Sequence, residues 1–194
     1  MDPELLVGFA GAIGAGKNAA ASSIPRAVVI EHADPIYWML SAMLQAPVED
    51  LRDRGTKETP IVGLGKSVRD LLRSLGTEWG RELVHPELWV TLAGARIDQH
   101  LAAGQTRFAI PGVRFQNEID AIRRRGGFVV WVHNPNVAKA DGPFKTHRSD
   151  RMIGQFDCDV VLVNDGPVET LAGKVELAIE LGAKVVLERE AFGA

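Results

Sequence analysis

Gly11-Ala12-Ile13-Gly14-Ala15-Gly16-Lys17-Asn18 lies between a short apolar run and a stretch of helical character. Glycines at this spacing let the backbone wrap closely and aim several N–H groups at one point. The start of the following helix adds the positive end of its dipole, and Lys17 adds a point charge. The pattern predicts a loop that holds the β- and γ-phosphates of a nucleoside triphosphate. Gly11, Gly14, Ala15, Gly16, Lys17 and Asn18 are therefore the donor-binding residues, and Lys17 is also catalytic. The residue after such a lysine is commonly Ser or Thr, whose hydroxyl ligates Mg²⁺. Here it is Asn18, whose amide oxygen can ligate Mg²⁺ directly or through water. Asn18 is thus the metal candidate. Gly63-Leu64-Gly65-Lys66-Ser67 looks like a second loop of this kind, but it lacks a preceding strand and the first glycine.

Other polar clusters call for an acceptor. One is His32-Ala33-Asp34-Pro35-Ile36-Tyr37. A second runs from Ser67 to Arg81 and carries Arg69, Arg73, Glu78, Trp79 and Arg81. A third is Val113-Arg114-Phe115-Gln116-Asn117-Glu118, and a fourth is Val163-Asn164-Asp165-Gly166. Trp79 fits either base stacking or a core position. Asp34 fits either a polar base or sugar contact or a helix cap. Asn164 is equally a turn former.

These groups need a scaffold. Leu5–Ala10 reads as a buried strand, as do Val28–Ile30, Phe108–Ile110, Phe128–His133 and Val160–Val163. Helical stretches separate them: 17–24, 35–44, a short one from Pro47, 67–75, 86–103, 117–125 and 168–181. Residues 55–66 read as a loop, 134–156 as an irregular polar segment, and 184–194 as ambiguous. Short β-branched runs alternating with helices predict an α/β protein with a parallel sheet. Ligands of such sheets bind beyond the carboxyl ends of the strands. The block 35–103 is too long for a plain crossover and reads as an inserted substrate lobe.

In this order the pieces resemble the bacteriophage deoxynucleoside monophosphate kinases, a branch of the P-loop nucleoside monophosphate kinases. The resemblance covers residue 5 to about 175 and is most specific at Leu75–Arg81 (LGTEWGR), Ala33–Tyr37 (ADPIY) and Val113–Glu118 (VRFQNE). His147–Asp150 (HRSD) looks like the family's lid segment. The resemblance implies a three-layer P-loop kinase fold over residues 1–194: a five-stranded parallel sheet flanked by helices, a helical acceptor-binding lobe at 35–103 and a lid at 134–156. It implies transfer of the γ-phosphoryl group of ATP to a deoxynucleoside monophosphate, with Mg²⁺.

Within that frame Arg69 and Arg81 are the acceptor-phosphate residues, and Arg114 stands between donor and acceptor. Arg148 and Arg151 close over the donor phosphates from the lid. Asp34, Tyr37, Glu78, Trp79 and Asn117 complete the acceptor set, with Tyr37 crowding the 2′ position. Asn164 and Gly166 fall where the fold places the donor adenine. The family usually has Asp just before VRF, where this chain has Gly112, and often Gln where it has Arg73. Asp34, Glu118 and Asp150 are open as substitutes in supporting Mg²⁺. A dephospho-coenzyme A kinase-like enzyme shares the glycine loop and the ending Asn164-Asp165-Gly166 but does not explain LGTEWGR, and a nucleotide-binding module without turnover is the alternative that Gly112 and Asn18 favour.

The bulk numbers agree. The 194 residues carry 22 Lys and Arg against 25 Asp and Glu, a net charge of −3. That balance argues against a nucleic-acid polymer as partner. One cysteine, Cys158, excludes an internal disulfide and a cysteine-cluster metal site, and reads as core. No apolar run is long enough for a membrane span, and acids stand where a signal peptide would be basic, so a cytoplasmic protein is expected. A homodimer is left open. Arg123-Arg124-Arg125 reads as the basic end of a helix answering its dipole.

Overall fold

The computed structural model describes residues 3–138 and 153–192. Two compact units emerge: Met1–Glu31 with Gly94–Ala194, and His32–Ala93.

The first unit contains five strands: β1 (Leu5–Ala10), β2 (Val28–Val29), β3 (Arg107–Val113), β4 (Phe128–His133) and β5 (Val160–Val163). They form one sheet in the order β2-β3-β1-β4-β5, and every pair is parallel. This is the five-stranded parallel sheet expected. β1 is central and all six of its residues are buried, as its unbroken apolar run requires.

Parallel neighbours need crossovers, and helices supply them. In this unit α1 (Lys17–Ser22) follows β1, α7 (Gln116–Arg124) joins β3 to β4, and α9 (Leu171–Phe192) follows the last strand; between them in chain order come α2 (Asp34–Leu44), α3 (Val48–Arg52), α4 (Arg54–Glu58), α5 (Val68–Arg73), α6 (Leu88–Ala102) and the short α8 (Pro135–Ala138). Val7, Phe9, Val130 and Leu162 pack with Ala20 and Ala21 of α1 and with Leu171, Val175 and Ala178 of α9. Ile119 and Ile122 of α7 are also buried, and a side chain at Gly8 would meet Ile122 Cδ1 at 2.6 Å. Asp159, its side chain 4% exposed, receives Arg123 at 2.5 Å, Arg189, and the Val129 N–H at 2.7 Å. Arg125 pairs with Asp98 at 2.7 Å. Two arginines of the 123–125 run therefore bind specific carboxylates in addition to sitting at a helix end.

α9 continues to Phe192 through the tail that looked ambiguous. Val186 packs against the core and Arg189 reaches Asp159, so tertiary contacts extend it.

The second unit is helical. α2 begins at Asp34 itself, after an Ala33 N-cap. α4 occupies part of the stretch expected as loop, and Pro60 and Ser67 form an isolated antiparallel bridge. Ser67 caps α5 reciprocally with Asp70, the two orphan backbone donors being satisfied together. Ser74–Val84 then runs as a π-helix, a form seen mostly as single turns and often near functional sites. Ile36, Tyr37, Leu40, Leu51, Val68 and Trp89 form the core. The compact helical unit His32–Ala93 ends within α6, whereas the block 35–103 read from the sequence takes in the whole of that helix.

Candidate functional site

β1 delivers its chain to the glycine loop at its carboxyl end. Gly11 leaves the strand at φ +133°, and a Cβ there would overlap the carbonyl oxygen of Val132 on β4. Only a glycine lets the loop pass this close to the neighbouring strand. Gly14 and Gly16 also have positive φ. Lys17 Nζ donates to the carbonyls of Gly11 at 2.9 Å and Ala12 at 2.7 Å, folding its ammonium over the loop. Ala15 is fully buried and anchors the loop to the core. Its carbonyl accepts from Asn164 Nδ2 at 2.9 Å, and the Asn164 N–H donates to His133 O at 2.7 Å. Gly11, Gly14, Ala15, Gly16, Lys17, Asn18 and Asn164 are thus brought together, with Asn164 fastening the end of β5 to the loop. Gly166 is exposed beyond β5. Next to it Lys174 bonds Val163 O at 3.0 Å and pairs with Asp165, whose carboxyl it holds below the usual range.

Asn18 Nδ2 donates to Glu31 Oε1 at 3.3 Å. Glu31 follows β2, whose extension is tied to β3 by Ile30 N–H to Ala109 O at 3.0 Å. Sequence reading missed Glu31 because nothing local marks it; the strand pairing brings it to the loop.

β3 ends in Gly112, at φ +79°, where the pairing with β1 slips by one residue. Arg114 is exposed. Its backbone N–H and that of Phe115 donate to Glu118 Oε2 at 2.7 and 3.3 Å. Glu118 is 2% exposed, so it caps the start of α7 from inside. Asn117 is half-buried in the first turn of α7.

In the helical unit Asp34 Oδ1 accepts from Arg52 Nη2 at 2.5 Å. The same guanidinium lies 4.3 Å from the centre of the Tyr37 ring, and Lys57 Nζ bonds the Tyr37 hydroxyl. Asp34 and Tyr37 therefore share one cluster with Arg52 and Lys57, which come from α3 and α4. Neither cation carries a sequence signal, since contact across 18 and 20 residues is made only by folding. Tyr37 is 3% exposed. Arg69 Nε donates to Glu58 at 2.6 Å, and this bond holds the Glu58 carboxyl below its ordinary range. Arg81 donates to Pro86 O at 3.3 Å. Trp79 and the exposed Glu78 sit on the π-helix, the Trp79 ring 6.2 Å from that of Trp89, whose Nε1 donates to Gly76 O at 2.8 Å. Arg148, Arg151, His147 and Asp150, with most of the 134–156 segment, lie outside the described residues. Cys158 is half-buried; burial, then the charges of Asp159 and Asp157, push its thiol up to about 12.

A parallel sheet whose central strand feeds a glycine loop, with a lysine folded over it, defines an α/β protein with that loop at the carboxyl end of the central strand. The family model described as deoxynucleotide monophosphate kinase matches residues 60–175. The deoxynucleotide monophosphate kinase of Enterobacteria phage T4 is 29% identical over 115 residues, 59% of this chain and 46% of that protein. The chain thus spans about half the length of that relative. A putative deoxynucleotide monophosphate kinase of Acanthamoeba polyphaga mimivirus is 29% identical over 193 residues, covering 88% of this chain and 94% of that one. The crystal structure of TT1252 from Thermus thermophilus aligns with 97% of this chain and 98% of its own at a TM-score of 0.49 and 18% identity. The chain belongs to the deoxynucleotide monophosphate kinase family.

Proposed function

We propose that the chain transfers the γ-phosphoryl group of ATP to a deoxynucleoside 5′-monophosphate, releasing the diphosphate. The observation that carries this is the loop 11–18. It lies outside the residues that the family model matches, yet it has the backbone turns and the overlying lysine that a triphosphate site needs.

The acceptor oxygen is anionic at neutral pH, so no general base is called for. Rate must come from in-line positioning and from cations that spread the charge of the transferred group. Lys17 exchanges its two loop carbonyls for donor phosphate oxygens. Arg114 is assigned to the charge that develops on the transferred group, with Arg148 and Arg151 assigned to the donor side. The unit His32–Ala93 takes the acceptor: Arg69 and Arg81 its phosphate, Trp79 and Glu78 its base, and Asp34 and Tyr37 further contacts; Asn117, on α7, is assigned to the acceptor as well. Arg69 leaves or shares its bond to Glu58 when the phosphate arrives. Asn164 and Gly166 border the donor adenine.

The residues present fit Mg²⁺, which needs few protein oxygens when phosphates supply the rest. Glu118 is an unsuitable ligand because its carboxylate is spent on two backbone N–H groups, and Asp34 is engaged by Arg52. Asn18 is the residue that would hold the ion. Bound there, Mg²⁺ supplies charge neutralisation to the donor phosphates. Among the described residues no helix is long and apolar enough to cross a membrane, and the proposed partners are small nucleotides.

A coupled assay with ATP and Mg²⁺ against each of the four deoxynucleoside monophosphates tests the reading. Turnover with at least one is expected. Tight ATP binding with no turnover on any would replace it with a nucleotide-binding module, the reading that Gly112 and Asn18 favour. Lys17→Ala should remove transfer while the fold is retained, at a cost of about 1–2 kcal/mol for the two lost hydrogen bonds to Gly11 O and Ala12 O. Retained turnover would place the donor elsewhere.

A further inference from the structure

Asn18 stands where a hydroxyl would face the metal, and an amide offers two ends of opposite character. Its NH₂ repels a cation and its Oδ1 attracts one, so the rotamer decides whether the residue helps or hinders. The hydrogen bond from Asn18 Nδ2 to Glu31 Oε1, 3.3 Å long, decides it. A flipped amide would set Oδ1 against the carboxylate oxygen, two acceptors facing each other without a proton between them. The amide nitrogen is therefore committed to Glu31, and Oδ1 is turned away from it.

Glu31 is in place for reasons of its own. The β2 strand pairs with β3, Val29 opposite Ala109, and the bond from Ile30 N–H to Ala109 O carries that pairing one residue further. Ile30 is fully buried. The chain just before Glu31 is fixed by the sheet, and its side chain reaches the first turn of α1.

We propose that Glu31 is a positioning residue of the donor site: it orients the Asn18 carboxamide so that Oδ1 serves as the metal-facing oxygen in place of the usual hydroxyl. The inference rests on the phosphate loop being the ATP site. The metal touches Asn18, and Glu31 acts through it. Partners of this kind, which orient a ligand without touching the ion, are commonly worth 10–100-fold in metal affinity.

The test compares the wild-type chain with Glu31→Ala, Glu31→Gln, Asn18→Ser, and Asn18→Ser combined with Glu31→Ala. Two quantities are read: affinity for ATP without metal, and affinity for Mn²⁺ in the ATP complex, followed by electron paramagnetic resonance of free Mn²⁺. Glu31→Ala should weaken Mn²⁺ by about tenfold, leave metal-free ATP binding within twofold, and raise the Mg²⁺ concentration needed for half-maximal turnover in step. Glu31→Gln keeps an acceptor for Nδ2 and should hold Mn²⁺ affinity within threefold of wild type. In the Asn18→Ser background, Glu31→Ala should cost less than twofold, because a serine hydroxyl needs no such anchor. If Gln loses as much as Ala, the carboxylate itself meets the metal and the proposal fails. An unchanged Glu31→Ala protein, or one that loses equally in both backgrounds, also overturns it. Wild type that binds no ATP with or without metal would instead remove the donor-site reading beneath it.

Discussion

Replacing Gly11 by alanine probes the closest approach in the loop, and Gly14→Ala is its internal control. At Gly11 two penalties combine. The φ of +133° is foreign to a residue with a Cβ, and the new methyl overlaps Val132 O while lying 3.3 Å from Val132 C and 3.4 Å from Val132 N. β4 cannot retreat, because Val132 is paired with Leu162 on its far side and is buried. At Gly14, φ is +82° and the nearest atoms are Val137 Cγ2 at 3.7 Å and Cγ1 at 3.8 Å, ordinary contact. Positive φ costs roughly 1–2 kcal/mol, and overpacking against fixed structure about 1–3 kcal/mol. Each alanine also recovers about 0.4–1 kcal/mol by stiffening the unfolded chain. The balance is about 2–4 kcal/mol lost at Gly11 and about 1 kcal/mol at Gly14. Both substitutions lie in the proposed donor loop, so stability is the measurement that separates them. Urea unfolding followed by far-ultraviolet circular dichroism, with unchanged m, would show it. If the two variants agree within about 0.5 kcal/mol, the loop does not pass against β4 as described.

Asp159→Ala removes the carboxylate shared by Arg123 and Arg189, which keep the carbonyls of Asp157 and Gly127, and frees the Val129 N–H, so a loss near 3 kcal/mol is expected, the low end for breaking a buried ion pair since both arginines are partly solvated. A loss below about 1 kcal/mol on urea unfolding would mean that the pairing is idle. The raised Cys158 thiol keeps its proton in the folded state, so its contribution to stability is whole below pH 9 and declines as pH climbs from about 9 towards about 12. Cys158→Ala should flatten that alkaline decline, and alkylation of the native thiol at pH 8 should be slow; rapid labelling would contradict the burial. Gly112→Asp has open space for its side chain and pays only for φ +79°, at most about 2 kcal/mol. It should fold and raise turnover at limiting Mg²⁺; an unchanged rate would show that Gly112 is not a missing metal support.

The legible features were local ones. The apolar run Leu5–Ala10, the glycine spacing after it, and the β-branched segments at 128–133 and 160–163 sit where the sequence puts them. The LGTEWGR stretch was legible as a marker but not as a shape. The helix read from the sequence stops at Leu75, whereas Ser74–Val84 is π-helical, with Gly80 pressed against Trp89 and Trp89 bonded to Gly76 O. Asp34 read as a helix cap or a ligand, and its partner turned out to be Arg52 in another helix. Asn164 read as a turn former or an adenine neighbour, and its amide holds the carbonyl of Ala15, 149 residues earlier.

The sequence by itself determined the parallel α/β architecture and the glycine loop with its lysine, because strand burial, glycine conformation and a lysine at fixed offset are decided within a few residues of chain. Tertiary structure alone decided the company those residues keep. Glu31 turns the Asn18 amide, Asn164 ties β5 to the loop, and Arg52 and Lys57 enclose Tyr37. Each of these contacts joins segments that strand pairing or helix packing brings together, and side-chain hydrogen bonds a few ångströms long leave no periodicity in the chain for a reader of sequence to find.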